Sequence, residues 1–526
     1  MTACNSNVRI QTEDPTRPNV LLINSNRYMQ PWPVIPFGLC CVASSVEEAG
    51  YKVEFLDLCF SAHPDREIRE SIASFNPDVI GVSIRNLDNS TGFNTDFLVD
   101  EVKREVIEPL KKEFSGPIVI GGPAVGINGP ELLEFFDLEY AIQGDGEAGM
   151  VAFLDRYSHD MSFQGTEGLV IRREGAIMED NGPARIHDLD QFPFSRVYNY
   201  IDIARYARYN SPLQIQTKRG CALNCTYCTY NRIEGKCWRL RDPERVADEI
   251  EDLVQNTGIR NIEITDSTFN IPLSHCKKVL RAVIDKRLDI HLRTMGLNPG
   301  AVDEELANLL KEAGFTDLDV GAESCSEATL KGLGKNFGVK DIRKAGELLH
   351  KQNISIMWVL LVGGPGETVE TLKETFDTID DIASGWDLID IGVGVRVYKG
   401  SQIAEEMQYC SNNTADQGYL EPVSYEPDGI SLNEIKRITK QRALERTNYF
   451  MYDEDEKTPL IMMRIGTMLC RILFPNQPVW KLFILIRRIQ KYTGIALLKR
   501  ALFRVKSLFA SGLKPYRPEI NCGENL

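Results

Sequence analysis

Histidine is scarce in this 526-residue chain. There are only six, and His63, His187, His275 and His291 show no ligand spacing, so a histidine metal centre finds no support. No uncharged apolar run reaches the roughly 18 residues of a spanning helix. The first residues, MTACNSNVRIQTEDPTRPN, lack the apolar stretch of a signal peptide. A reducing cytosol is therefore the expected compartment, and the thirteen cysteines predict no disulfide framework. Positive charge is also short: the net charge is −15 and the pI about 5.1. That argues against a nucleic-acid binder, because neutralising phosphates needs a basic face. Acid is missing from one stretch only. Residues 458–512 carry ten Lys/Arg and no Asp or Glu, leaving −25 on the remainder.

What is present is apolar material for several cores, 43% of residues, in a length that suggests roughly three or four domains. After a tail at 1–17, residues 18–157 alternate strand and helix patterns. Candidate strands are Asn19–Asn24, Lys52–Leu58, Val79–Ile84 and Pro117–Ile120, with a long helix expected over Asn94–Phe114. Short apolar strands alternating with helices predict a doubly wound, Rossmann-like α/β domain. Its ligands belong in the crevice beyond the strands' carboxyl ends. Residues 158–212 read as a connector with a hairpin around Glu174-Gly175. A second βα series follows over 213–410. Its six strands, Leu213–Thr217, Asn261–Thr265, Asp289–Thr294, Asp317–Gly321, Ile354–Val362 and Leu388–Val397, predict a partial (β/α)6 barrel of the TIM type. Chemistry then falls on the loops after the strands. Residues 411–526 read as a helical region with basic amphipathic helices, broken at Pro475 and Pro478.

Directly after the first barrel strand stands TKRGCALNCTYCTY. Cys221, Cys225 and Cys228 form CxxxCxxC, and three thiolates on one loop can hold three irons of a [4Fe–4S] cluster, leaving the fourth open. Structural zinc is the alternative, but it wants four ligands, and the nearest further one is Cys237. A redox CxxC at Cys225–Cys228 is disfavoured by the third cysteine. Cys237 and Cys325 fall near the same face, although free cysteines are usually small hydrophobes.

This spacing, with Tyr227 just before the third cysteine, resembles the radical S-adenosylmethionine (SAM) superfamily. Later loops match in order: ITDSTFN with Asp266, GAES with Glu323, VLLVGGPGET with Gly363 and Gly364, and VRVYKGSQI with Arg396. The resemblance implies SAM on the open iron. Gly363-Gly364 would admit backbone close to the adenosine, Glu323 and Asp266 would accept from ribose or ammonium, and Arg293 or Arg396 would pair with the carboxylate. The N-terminal series PVIPFGLCCVASSVEEAGYKVEFLDL, PDVIGVSIRN, IVIGGPAVG and YAIQGDGE is similar to the cobalamin-binding domain of cobalamin-dependent radical SAM enzymes. A plain nucleotide-binding or flavodoxin-like domain is the alternative. On the family reading Pro36, Gly38, Ser83, Gly121, Gly122, Gly144 and Gly146 line the cobalamin. Many such domains carry a DxHxxG loop; here NSNRYMQPWPVIPFG has no histidine. That implies base-off cobalamin without a protein histidine on cobalt, with Arg85 and Asn86 beneath the corrin. Arg85 could equally pair with a corrin amide or an acidic neighbour.

The family implies a C-methyltransferase acting on a small-molecule or lipid-like substrate, reduced by a partner such as flavodoxin or ferredoxin. Alternatives are cyclisation, C–C coupling or rearrangement by the same cofactors, or a non-catalytic cobalamin sensor or carrier. For residues 458–512 two readings compete, a peripheral membrane contact and a cap docked on the acidic body.

Overall fold

The computed structural model describes residues 17–30, 32–90, 92, 95–159, 162–192, 196–411, 419–451, 469 and 477–493. The N-terminal unit is built on β1 (Asn19–Asn24), β2 (Lys52–Asp57), β3 (Val79–Ser83), β4 (Ile118–Gly121) and β5 (Tyr140–Ile142), parallel and ordered β2-β1-β3-β4-β5. Val20 to Ile23 are at most 1% exposed, because helices cover both faces of the sheet. The expected helix over Asn94–Phe114 is real but broken. It runs from Leu98 to Glu113 through a π turn at Lys103–Ile107. Pro109, which has no N–H to donate to the preceding turn, lies just beyond that π turn.

The hairpin around Glu174-Gly175 exists, and it belongs to this sheet rather than to a connector. β6 (Leu169–Arg173) pairs antiparallel with β5, and β7 (Ala176–Asp180) with β6. Glu174 and Gly175 both have positive φ, 51° and 81°, which matches the twist a two-residue hairpin needs. Leu169, Val170 and Ile171 are buried. This apolar run is too short to be told from loop in the sequence.

The barrel strands are β8 (Leu213–Ile215), β9 (Asn261–Ile264), β10 (His291–Thr294), β11 (Asp317–Glu323), β12 (Ser355–Val362) and β13 (Leu388–Val393). A seventh, β14 (Tyr449–Met451), pairs parallel with β13 and was not foreseen. The order β8-β9-β10 continues into β11-β12-β13-β14 through the single bridges Leu292–Phe315 and Leu297–Val320. Alternation is strict. Ile262, Leu292, Leu318, Trp358 and Ile389 enter the core under the helices, which directs Glu263, Arg293, Asp319, Met357 and Asp390 into the lumen. The helix Pro243–Thr257 illustrates how the outer layer is bounded. Asp242 accepts from the amides of Glu244 and Arg245, Pro243 opens the first turn, and Gly258 at φ 69° ends it.

The two units are clasped by charge. Arg396 and Asp88, both buried, meet at 2.8 Å, and Ser90 and Tyr398 hydroxyls lie 2.8 Å apart beside them. Arg219 bonds Asp145 and Glu147, and Arg239 bonds Asp145.

From the basic segment 458–512 the helix Trp480–Thr493 is described, and it docks on the barrel. Leu482 and Ile484 are 4% and 1% exposed, Trp480 Nε1 donates to Trp386 O at 3.2 Å, and Lys491 Nζ donates to Glu445 O at 2.8 Å. Arg487 and Arg488 donate to the carbonyls of Tyr449 and Gly385. Over this helix the cap reading holds, and membrane contact finds no support; most of the rest of 458–512 lies outside the described residues. No described helix is long and apolar enough to cross a membrane. Ile484→Ala should cost about 2–5 kcal/mol, as truncation of a buried Ile does. The measurable outcome is a lower thermal midpoint together with faster tryptic cleavage after residue 477.

Candidate functional site

The cysteine loop is closed at its root. Lys218–Arg219 pairs antiparallel with Arg239–Leu240, so residues 220–238 return to their starting point. Gly220 sits at φ 90° with its α-carbon against the Cys237 carbonyl, where a side chain has no room. Lys218, 1% exposed, donates to Asp266 at 2.8 Å and to Thr268 O at 2.6 Å. Asp266 also accepts from the Thr217 amide at 2.8 Å. The expectation that Asp266 meets ribose or ammonium is therefore replaced. Its oxygens are occupied by the chain itself, and its work is to hold the root of the loop.

Above the root, Thr226 fixes the middle of the loop: its amide donates to Leu333 O at 3.0 Å, and its carbonyl accepts from the Ile403 amide at 3.0 Å. Cys221 is buried, and Cys225 and Cys228 are partly exposed. Burial pushes the Cys225 thiol up and that of Cys228 to about 12, the neighbouring thiols add to both, and Lys335 opposes them. The three sulfurs thus lie close enough to feel one another. Yet among the described residues no three His, Cys, Asp or Glu side chains converge on one ion. Three thiols on one loop match the three-cysteine side of a [4Fe–4S] cluster and fall one short of the four ligands of a structural zinc.

Beside the loop, the Tyr227 hydroxyl donates to Glu323 Oε1 at 3.0 Å, and Lys335 Nζ lies 3.0 Å from Tyr227 and 3.1 Å from Glu323. Glu323 has φ 60°, a strained conformation for a non-glycine residue and one that gathers at functional sites. Lys335 was not foreseen. It comes from the turn after helix Glu327–Gly332, returned by Gly334 at φ 67°, and no motif marks it. Gly363 (φ 98°) donates its amide to Glu367 at 3.1 Å and packs on Leu432; Gly364 packs on Leu333. Neither has room for a Cβ. The two arginines expected to meet a carboxylate are engaged elsewhere. Arg396 is in the clasp with Asp88 and the Tyr419 carbonyl, and Arg293 lies in the lumen 3.0 Å from Glu263 and 3.4 Å from Asp319. Cys325 is fully buried, its amide bonded to Thr375 Oγ1, and behaves as core. Cys237 is exposed.

Across from this loop stand the carboxyl ends of β1, β3, β4 and β5. Ser83 ends β3, and Arg85 and Asn86 follow it. Gly122 (φ 100°) lies against the Ile84 carbonyl and Gly144 (φ 87°) against Ala184, and a Cβ on Gly146 would stand 3.0 Å from Val42. Gly38, two residues past Pro36, has open space where a side chain would stand, and a Cβ on Gly121 would meet nothing nearer than 3.8 Å. Arg85 is largely desolvated, which lowers its pKa, and its nearest charged or titratable neighbours are Tyr230 and Glu263 of the barrel; it forms no salt bridge among the described residues. The Asn26 Nδ2, buried at the end of β1, has no partner. An unpaired cation, an orphan amide and open glycines in the switch-point crevice fit a ligand edged with carboxamides and phosphate, as cobalamin is.

A thiol loop facing such a crevice suits a protein that holds two large cofactors. Residues 215–379 match the Radical SAM superfamily, and residues 32–154 match the B12 binding domain. The tryptophan 2-C-methyltransferase of Streptomyces laurentii is 25% identical over 499 residues, covering 83% of this chain and 81% of that one. The structure of the radical S-adenosylmethionine methyltransferase TsrM from Kitasatospora setae, with cobalamin and a [4Fe-4S] cluster bound, superposes with a TM-score of 0.69 at 27% identity, covering 80% of this chain and 84% of that one. An anaerobic magnesium-protoporphyrin IX monomethyl ester cyclase of Synechocystis is 25% identical over 323 residues, 61% of this chain and 62% of its own. The chain belongs to the cobalamin-dependent radical SAM enzymes, with the B12-binding domain ahead of the barrel.

Asp266→Asn should leave the Lys218 ammonium buried without a countercharge, at about 3–5 kcal/mol. Arg260→Met, which removes a surface pair with Asp289, should cost about 0–1 kcal/mol. Thermal denaturation and iron per chain after reconstitution separate the two, since only Asp266→Asn should lose cluster.

Proposed function

We propose that this enzyme is a C-methyltransferase that moves a methyl group from methylcobalamin to a carbon-centred substrate radical. When bound, the cluster with SAM supplies the hydrogen-abstracting radical, and cobalamin supplies the methyl group. The observation that carries the reading is the seating of the cysteine loop on the N-terminal domain. Arg185 donates to the carbonyls of Ile233 and Arg232 at 2.7 and 2.6 Å, and Arg219 meets Asp145 at 3.1 Å, so the loop and the crevice face one space.

In that space the chain's own groups divide the work. Cys221, Cys225 and Cys228 would hold three irons. Tyr227, Glu323 and Lys335 form a hydrogen-bonded set against the thiols, placed to orient SAM, and the Gly363-Gly364 backbone would let the nucleoside approach. Arg85 and Asn86 would lie beneath the corrin. A buried guanidinium there offers cobalt no ligand, which agrees with the absence of histidine from the loop after β1. Clasping the domains through Arg396 and Asp88 keeps water from the shared space. A reducing partner such as flavodoxin or ferredoxin would supply electrons.

Two named methyltransferases among the relatives support methyl transfer, and the cyclase keeps ring formation as the second reading. Methyl-labelled SAM given with a substrate pool should yield S-adenosylhomocysteine, 5′-deoxyadenosine and a labelled product. Product without S-adenosylhomocysteine would instead favour cyclisation or rearrangement. Electron resonance of the cob(II) form should show no nitrogen hyperfine splitting from an axial ligand; its presence would refute the placing of Arg85.

A further inference from the structure

The lumen below the thiol loop is not apolar. Alternation on the strands turns Gln214 of β8, Glu263 of β9, Arg293 of β10, Asp319 of β11 and Asp390 of β13 inward, while their neighbours Ile215, Ile264, Leu292, Val320 and Ile391 fill the core outside. Register places these side chains in one band. Gln214 pairs with Glu263, Glu263 with Arg293, Asp319 with Met357, and Asp390 with Val359 one pleat along. Trp32, from the loop after β1, lies over the Arg293 guanidinium at 4.7 Å and closes the band from the other domain.

The charges of this band do not cancel. Three carboxyls face two guanidiniums: Arg293 stands 3.0 Å from Glu263 and 3.4 Å from Asp319, and Arg85 acts on Glu263 from the N-terminal domain, so Asp390 is the carboxyl left without a cation. Glu263 is 2% exposed, and its Oε1 accepts no hydrogen bond although Arg293 Nε is near. Asp390 has no ion pair or side-chain hydrogen bond among the described residues; it is held by the Ile391 amide alone. Burial raises the Asp319 carboxyl to about 7 although Arg293 opposes the rise, and desolvation raises that of half-buried Asp390 to about 6 with no cation beside it. Asp317, the other lumen acid, is already matched by His291 at 3.0 Å. A metal ion does not answer this surplus, because no three of these groups converge on one point.

We propose that this band is the substrate-specificity site and that it selects a substrate carrying a protonated amine, with Asp390 and Asp319 taking the ammonium group. The inference rests on the methyltransferase reading and names the class of its substrate. An ammonium ion has the charge the band lacks and three donors for its unpartnered oxygens. Glu263 and Arg293 position the pair by occupying each other, and Trp32 covers the group from water once the domains are closed.

The test uses reconstituted full-length enzyme and three probes of one shape: benzylamine, benzyl alcohol and benzoate. Benzylamine should bind at least tenfold more tightly than either other probe by calorimetry. Asp390→Asn should remove that preference with cobalamin content and melting temperature kept, and Asp390→Glu should restore it. Should Asp390→Asn fail to fold, Asp319→Asn carries the same expectation. Equal affinity for the amine and the alcohol, no amine binding, or an amine preference that survives the Asn variant overturns the proposal. S-adenosylhomocysteine formed by the same preparation is read separately, so failure of the amine site is distinguished from failure of methyl transfer.

Discussion

Three thiols gathered on one loop, Cys221 buried and Cys225 and Cys228 half-buried, are the constraint around which the rest of the barrel is arranged. Burial pushes the Cys225 and Cys228 thiols up, and neighbouring thiols add to it, so a loop of this kind has no reason to stay folded by itself. It is kept by contacts from outside the loop. Lys218 and Asp266 lock its root, helix Glu327–Gly332 and the chain near Ile403 grip Thr226, and Lys335 brings a positive charge to its side. Removing one member of such a buried pair costs several times what an exposed pair contributes. The acids and bases that decide the site are therefore the buried ones, not the more numerous surface pairs.

The same logic joins the domains. Between the N-terminal sheet and the barrel lie Asp88–Arg396, Asp145–Arg219 and Arg185 donating to the carbonyls of Arg232 and Ile233, all largely shielded from solvent. A purely apolar seam would have been easier to assemble, but it could slide. Directional bonds fix the angle between the crevice and the loop, and two cofactors that must exchange a group across one space require that angle to be constant.

Much of this was legible in the sequence because periodicity and motif agree. The strands of both βα series fall within a few residues of expectation, and the cysteine loop lies where a barrel places its chemistry. What escaped did so for local reasons. β14 is three residues long and has no period to read, and the expected hairpin of β6 and β7 gave no sign that it joins the N-terminal sheet. Asp266 and Arg396 sit in loops that align with ligand-contacting motifs, yet each has a buried partner from a distant part of the chain, Lys218 at one and Asp88 at the other. Sequence adjacency carries no trace of such a pairing. Lys335 belongs to no motif and reaches Glu323 only through a left-handed glycine turn.

The C-terminal helix shows how charge alone misdirects. Ten cations without an acid left a membrane surface and the acidic body as rival partners, yet four residues of the helix Trp480–Thr493, Trp480, Arg487, Arg488 and Lys491, donate to backbone carbonyls of the barrel rather than to acids. Carbonyls at strand and helix ends carry partial negative charge whatever the side chains are. A basic helix is therefore suited to cover the open side of the barrel, where β14 is the last of the described strands and Arg487 donates to its Tyr449 carbonyl. The apolar stripe of Leu482 and Ile484 supplies the burial, and the cations answer the exposed acceptors at the edge. Among the described residues the seven strands form an arc that does not close on itself, and the cations of this helix lie over one end of it.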